Sequence, residues 1–137
     1  MDRFLALDFG TKRIGVALTD PLKIIAQPQA VVANSAQMFS AIQKLVIDQR
    51  VGRIIVGNPI RLNGKPGPAQ DAVAQFVEQL SAVVTVPIVL WDERMTSAEA
   101  NKRMIESGIR RERRKELVDS MAAALLLQNY LQATGGK

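Results

Sequence analysis

The sequence predicts an α/β fold in which a mixed five-stranded sheet is flanked by helices. Three short extended segments come first with no helix between them, as in an antiparallel meander. Amphipathic helices and buried strands then alternate, which is typical of parallel strand pairing. The chain has 137 residues and 47% of them are hydrophobic, so we expect one domain over residues 1–137.

The meander is predicted by the first third of the chain. Residues 4–9 are apolar on both faces except at Asp8, which favours a central strand. A polar turn leads into a second apolar strand over residues 14–18. A third extended piece at residues 30–32 completes the meander.

The alternating part begins with a helix in which Phe39, Ile42 and Leu45 recur at helical spacing, with Asn34 or Ser35 as its cap. A short buried strand at residues 53–57 follows. A Gly/Pro-rich loop then separates it from a second amphipathic helix around residues 73–80 and a strand at 86–91.

Two further helices are predicted near the end of the chain. Thr96 and Glu99 fit a capping box for a helix that ends near Gly108. Residues 117–131 form the last helix, whose apolar run at 121–127 is too short to span a bilayer. No secretion signal is evident, and we expect a soluble, cytoplasmic protein with no membrane partner.

Composition excludes several kinds of chemistry. The chain contains no cysteine and no histidine. Disulfides, thiolate nucleophiles and the Ser/His or Cys/His triads are therefore excluded. Acid/base chemistry has to use carboxylates, lysine or a metal ion.

The charge distribution favours an anionic partner, with nucleic acid ahead of a membrane surface. The formal net charge is +5 and the pI is about 10.0. Residues 102–115 contain seven basic residues against Glu106 and Glu112, so this segment accounts for the whole excess. The basic residues are Lys102, Arg103, Arg110, Arg111, Arg113, Arg114 and Lys115.

Three acids, Asp8, Glu93 and Asp119, interrupt stretches that otherwise have the pattern of a core. A buried charge is costly unless it is paired or binds a cation, and a shared divalent metal would account for all three. Oxygen ligands without His or Cys favour Mg²⁺ or Mn²⁺. Asp92 and Glu93 point to opposite faces of their strand, and the alternation alone does not decide between them.

Each acid also has a purely structural explanation. Asp8 precedes a glycine and fits a turn, the pair at 92 and 93 fits a solvated strand end, and Asp119 fits a helix start. Their joint placement is what favours a shared site.

Four segments resemble, in this order, the signature blocks of the YqgF/RuvX family of Holliday junction resolvase-like proteins, also described as pre-ribosomal RNA nucleases. They are LALDFGTKRIGVALTD, IIVGNPIRLNGKPGPA, VLWDERMTSAEA and VDSMAAALLLQNYL. Together these blocks cover nearly the entire chain. Four ordered blocks are far more specific than any single one.

The resemblance implies a ribonuclease H-like fold with Asp8, Glu93 and Asp119 as catalytic, metal-binding acids, and so selects Glu93 over Asp92. It also implies hydrolysis of phosphodiester bonds in structured nucleic acid. The favoured substrate is the 5′ end of pre-16S rRNA in ribosome biogenesis, with branched DNA as the alternative. The chain departs from the family pattern at Asn58 and Arg61, so the role of the loop at residues 57–68 stays open.

We expect a monomer or weak dimer. We also expect the basic residues near the acids, in the Gly/Pro loop and before the last helix to contact nucleic acid. They are Lys12, Arg13, Arg61, Lys65, Arg94, Arg110, Arg111, Arg113, Arg114 and Lys115.

Two other functions remain open at this point. The first is nucleotide hydrolysis, because residues 8–11 resemble the phosphate loop of the actin and sugar kinase ATPases. Those enzymes close two lobes around the nucleotide, however, and this chain supplies at most one. The other is a non-catalytic RNA-binding module, for which salt-dependent binding without turnover is expected.

Overall fold

A computed structural model describes residues 2–59, 67–92 and 111–136, with side chains described from residue 120 onwards in the last of these ranges. The elements in these ranges are β1 (Arg3–Asp8), β2 (Arg13–Thr19), β3 (Ala26–Ala33), α1 (Met38–Asp48), β4 (Val51–Asn58), α2 (Pro68–Ser81), β5 (Ile88–Asp92) and α3 (Arg111–Thr134).

The five strands form one mixed sheet in the order β3-β2-β1-β4-β5. β1 pairs antiparallel with β2, and β2 pairs antiparallel with β3, which is the predicted meander. β4 pairs in parallel with both β1 and β5. The predicted mixed sheet is therefore confirmed, with β1 at its centre as its apolar pattern indicated.

One face of the sheet packs against α1 and α2. Leu5 and Leu7 of β1 are fully buried there with Ile42 of α1 and Phe76 of α2. The ring of Phe76 lies 4.7 Å from that of Phe9, measured between centroids. Complete burial of one aliphatic side chain of this kind contributes about 1.5–3 kcal/mol to stability.

The other face packs against α3. Phe4 and Ala6 of β1 are buried beneath Ala123 and Leu127 of the helix. The alanines lack bulk beyond Cβ, so the helix backbone approaches the sheet closely. Tyr130 packs edge-on against Phe4, with ring centroids 5.9 Å apart.

Two side chains of α3 also bond to the backbone of the edge strand β3. The Ser120 hydroxyl donates to the Gln29 carbonyl at 2.6 Å, and the Gln128 side-chain oxygen accepts from the Ala26 amide at 3.2 Å. The helix therefore runs antiparallel to β3. Since β3 and β1 point the same way, α3 begins near the end of the sheet where β1 finishes.

The predicted cap of the first helix is wrong. α1 begins at Met38 after Gln37, which makes no side-chain capping bond. Ser35 instead accepts a hydrogen bond from the Gln37 amide at 3.3 Å, in the turn before the helix. The Asn34 side chain bonds to the Gly10 carbonyl, so neither predicted cap reaches the helix.

Several predicted boundaries also shift. β3 covers Ala26–Ala33 rather than residues 30–32, because most of this edge strand is exposed and has no apolar pattern to reveal it. β5 begins at Ile88, directly after Pro87, which has no N–H for strand pairing. α3 extends beyond residues 117–131 at both ends. The helix predicted from Thr96 to Gly108 lies outside the described residues.

Within the described ranges, no helix has the length and apolar character needed to cross a membrane.

The turn between β2 and β3 is organised by Asp20. Its carboxylate accepts hydrogen bonds from the Ile25 and Ile24 amides, both at 2.8 Å, and from the Leu22 amide at 3.2 Å. The bond from the Ile25 amide has the largest effect on the pKa of Asp20, and the bonds from Ile24 and Leu22 add to it. Together they hold this pKa below its ordinary value, because they stabilise the ionised form.

Asp20 is therefore expected to contribute pH-dependent stability. Its folded-state pKa is depressed, so the contribution is complete above the unfolded value of about 3.9 and disappears as pH falls through the lower folded value. Asp20→Asn should unfold more easily than wild type at neutral pH, and the difference should vanish in strong acid. Chemical denaturation across this pH range measures it. A difference that stays constant down to low pH would contradict the prediction.

Ser120→Ala should lower the free energy of unfolding by about 0.5–1.5 kcal/mol, because a hydrogen bond made by a buried hydroxyl is removed. Ser81→Ala is the matched control. It removes a 2.7 Å hydroxyl-to-carbonyl bond at the exposed end of α2 and should change stability by less than about 0.5 kcal/mol. Urea denaturation measures the free energy of unfolding of both variants. Equal losses would contradict the prediction, because the bond between α3 and β3 would then stabilise the fold no more than the exposed bond of Ser81.

Candidate active site

The carboxyl ends of the three parallel strands lie along one edge of the sheet. β1 ends at Asp8, β4 at Asn58 and β5 at Asp92, with Asn58 and Asp92 directly opposite each other in register. β2 runs the other way and begins at this edge with Arg13. Ligands of open α/β sheets collect beyond the carboxyl ends of parallel strands.

Asp8 lies on the face of the sheet that α3 covers. Successive strand residues point to opposite faces, so Asp8 shares the face of Phe4 and Ala6, which pack against α3. Its side chain is half-buried. The carboxylate thus lies at the rim of the α3 interface, where the sheet ends.

Asp92 points to the opposite face. Val89 and Trp91 pack in the α3 cluster, whereas Ile88 packs in the α1 and α2 cluster. Asp92 lies four residues after Ile88 and so shares its face. Asp92 therefore does not share the face of Asp8, and the selection of Glu93 stays a prediction. Glu93 lies outside the described residues.

Asp119 belongs to α3, directly before Ser120. Ser120 bonds to Gln29, Gln29 is opposite Val16, and Val16 is opposite Leu7, the residue before Asp8. These links place the helix backbone at Asp119 towards the same end of the sheet and on the same face as Asp8. The side chain of Asp119 is outside the described part of the chain.

A small cavity of about 210 Å³ is lined by Gly10, Thr11, Lys12 and Arg13, which lie between the end of β1 and the start of β2. Lys12 is exposed and Arg13 is half-buried. Gly15 is the strand partner of Asp8, and Arg13, two residues earlier, points to the same face. A basic turn and an acid are therefore found at the same edge of the sheet.

The turn that forms this cavity is tight. A Cβ at Gly10 would overlap the Arg13 carbonyl oxygen, so a side chain there would require the backbone to move. Asn34, at the end of β3, donates from its side-chain amide to the Gly10 carbonyl at 2.8 Å and from its backbone amide to the Lys12 carbonyl at 3.0 Å. The sequence interpretation missed this role, since Asn34 fitted a helix cap equally well.

The other predicted nucleic-acid contacts are described only in part. Those at the start of α3 have a described backbone, which lies towards the edge that carries Asp8, and they are Arg111, Arg113, Arg114 and Lys115. The rest lie outside the described residues, and they are Arg61, Lys65, Arg94 and Arg110.

The predicted metal ligands are not tested by this geometry. Among the side chains that the structure describes, no three acidic residues gather closely enough to hold a metal ion. Asp8 is the one predicted ligand whose side chain belongs to that set. The ligand set therefore stays a prediction.

Comparison with solved structures identifies the fold. The RuvC protein of Thermus thermophilus, solved in complex with a Holliday junction substrate, superposes with a TM-score of 0.54 at 16% identity, over 99% of this chain and 98% of that one. The fowlpox virus resolvase, solved with Holliday junction DNA, also gives 0.54, at 10% identity over 96% and 97% of the two chains. These likenesses confirm the predicted ribonuclease H-like fold.

Sequence relatives are similar along their whole length. A protein of Thermoanaerobacter pseudethanolicus is 43% identical over 98% of this chain and 99% of its own. One of Bacillus subtilis is 38% identical over 96% and 98%. Both are named "Putative pre-16S rRNA nuclease". The family model described as "RuvX: Holliday junction resolvase" matches residues 2–133, and the chain belongs to this RuvX family.

Proposed function

We propose that this protein is a metal-dependent nuclease that hydrolyses phosphodiester bonds in structured RNA and processes the 5′ end of pre-16S rRNA. The observation that carries the proposal is the placement of Asp8 and of the α3 backbone at Asp119 on one face and at one end of the sheet. The names of the full-length relatives support the substrate.

The acids proposed to act are Asp8, Glu93 and Asp119. Asp92 is left out because it alternates onto the opposite face, and Glu93 is the next acid along the chain. A half-buried carboxylate is a favourable ligand, since it has already given up part of its hydration. With no His or Cys in the sequence, an all-oxygen set fits one or two Mg²⁺ or Mn²⁺ ions. When bound, such ions stabilise the charge that develops on the reacting phosphate.

Basic residues bind and orient the substrate in this proposal. Arg13 shares the face of Asp8, so its guanidinium is suited to hold the scissile phosphate by paired hydrogen bonds. Lys12, on the exposed side of the same turn, contacts a neighbouring phosphate. Arg94 and the basic residues at 110–115 extend this contact along the nucleic acid backbone, and Arg61 and Lys65 extend it from the loop.

Aromatic residues make up only 4% of the sequence, which disfavours binding by base stacking. Rings described in the sheet and in α3 also pack against one another, since Phe4 and Trp91 both contact Tyr130. Recognition is therefore proposed to depend on the phosphate backbone and on overall shape.

Branched DNA is the second candidate substrate. The description of the family model favours it, and two proteins of the same fold have been solved with Holliday junctions. RNA is preferred because it is named for relatives that match from end to end. The protein is further proposed to act in the cytoplasm as one domain over residues 1–137, as a monomer or weak dimer.

Two other functions are less well supported. ATP hydrolysis of the actin or sugar kinase type uses two lobes, whereas relatives that match this chain from end to end are similarly short. A non-catalytic RNA-binding module gives no reason for Asp8 and the α3 backbone at Asp119 to lie at the same end of the sheet. Calorimetry with ATP tests the first of these functions, since a nuclease should not bind ATP specifically. An RNA turnover assay tests the second, since a non-catalytic module should bind RNA without cleaving it.

Asp8→Asn should lower Mn²⁺-dependent cleavage of pre-16S rRNA by about 100-fold or more. Replacing a residue that only hydrogen-bonds to a metal ligand typically costs about 10- to 100-fold in activity, and replacing a ligand itself should cost at least as much. Asp92→Asn is the matched control, since it neutralises an acid at the same edge but on the opposite face. It should retain most of the activity. Cleavage by Asp8→Asn at the wild-type rate would overturn the proposal, provided that both variants fold normally by circular dichroism.

Substrate preference is tested by competition. A labelled precursor fragment that spans the 5′ end of 16S rRNA should be cleaved in the presence of Mg²⁺ or Mn²⁺, and EDTA should abolish the reaction. Unlabelled Holliday junction should inhibit only at a higher concentration than unlabelled precursor. If junction DNA is cleaved and precursor RNA is not, branched DNA replaces RNA as the substrate.

A further inference from the structure

Asn34 contacts the turn between β1 and β2, although it lies on neither of these strands. It follows β3 directly, is half-buried, and sends two donors to two carbonyls of one turn. The side-chain amide bonds to Gly10 at 2.8 Å, and the backbone amide bonds to Lys12 at 3.0 Å. One residue thereby holds the turn that lines the basic cavity at two points.

These two bonds determine which groups of the turn can face an anion. The C=O and N–H of a trans peptide point in opposite directions, so a Gly10 carbonyl held by Asn34 turns the Thr11 amide away from Asn34. The Lys12 carbonyl is held in the same way, by the Asn34 backbone amide. Two carbonyl oxygens, which would repel a phosphate, are thereby committed to hydrogen bonds within the protein.

We propose that Asn34 is a positioning residue for phosphate binding: it holds the Gly10–Arg13 turn so that Lys12, Arg13 and the Thr11 amide together receive a phosphate of the nucleic acid backbone. The inference rests on the proposed function, because it assigns a task to the turn beside Asp8. Asn34 acts through the turn and does not itself contact the substrate.

The side-chain amide is the part that cannot be replaced easily. Alanine keeps the backbone bond to Lys12 but has no donor for Gly10. Aspartate has the shape of asparagine, but its carboxylate faces the Gly10 carbonyl oxygen without a proton to donate. Both substitutions should therefore free this carbonyl to rotate towards the cavity.

The test measures affinity for a precursor fragment spanning the 5′ end of 16S rRNA by fluorescence anisotropy, in EDTA so that no cleavage occurs. Asn34→Ala and Asn34→Asp should bind about 2- to 10-fold more weakly than wild type. The dependence of log affinity on log salt should become shallower by about 0.7–0.9 for each phosphate that the variant no longer neutralises. A purely structural role would not move this slope.

Gln43→Ala is the matched control. Gln43 also donates a side-chain amide to a backbone carbonyl at 2.8 Å, that of Val83, but it ties α1 to the end of α2. It should retain wild-type affinity and salt slope. Wild-type affinity in both Asn34 variants, or equal weakening in Gln43→Ala, overturns the inference.

A double-mutant cycle with Lys12→Ala separates this inference from the proposed function. If Asn34 acts through the turn, the effects of Asn34→Ala and Lys12→Ala on affinity should be less than additive. If Lys12→Ala and Arg13→Ala weaken binding while Asn34→Ala does not, the positioning role alone is wrong. If none of the three weakens binding, the turn does not bind phosphate and that part of the proposed function fails with it.

Discussion

The docking of α3 on the sheet is the contact on which the candidate site depends. Small buried residues of the helix, Ala122 and Ala123 among them, let it lie close to the strands. Ser120 and Gln128 then bond to the backbone of β3 and fix where the helix stands along the strand. Apolar packing alone is non-directional and tolerates sliding, whereas hydrogen bonds at two points about two turns apart on the helix do not.

That fixed position connects residues from opposite ends of the chain. Asp8 comes from the first strand and Asp119 from the last helix, and the sheet places the end of one and the start of the other at the same edge. β3 contributes twice, because it anchors α3 through Gln29 and ends in Asn34, which holds the turn beside Asp8. An exposed edge strand, inconspicuous in the sequence, thus organises both sides of the site.

The fold was largely predictable, for reasons that individual elements illustrate. β1 is buried on both faces, so its apolar run indicated a central strand. α2 has Val73, Phe76 and Leu80 at helical spacing on one buried side, so it too was evident. β3 was located poorly because its side chains are mostly exposed. The capping prediction at Asn34 failed because the same side chain can bond to a helix or to a neighbouring turn, and local sequence does not say which is within reach.

The sequence by itself determined which chemistry is available. The absence of His and Cys, the acids within apolar segments and the basic run before the last helix are all local facts. Only the tertiary structure decided which of these groups lie together. Alternation along a strand sorts its residues into two sets that point to opposite faces. Only the pairing with neighbouring strands and the packing of helices show which set faces α3 and which faces α1 and α2. Asp92 was separated from Asp8 in this way, and Asn34 acquired a partner 24 residues away, because such pairings depend on packing between distant segments.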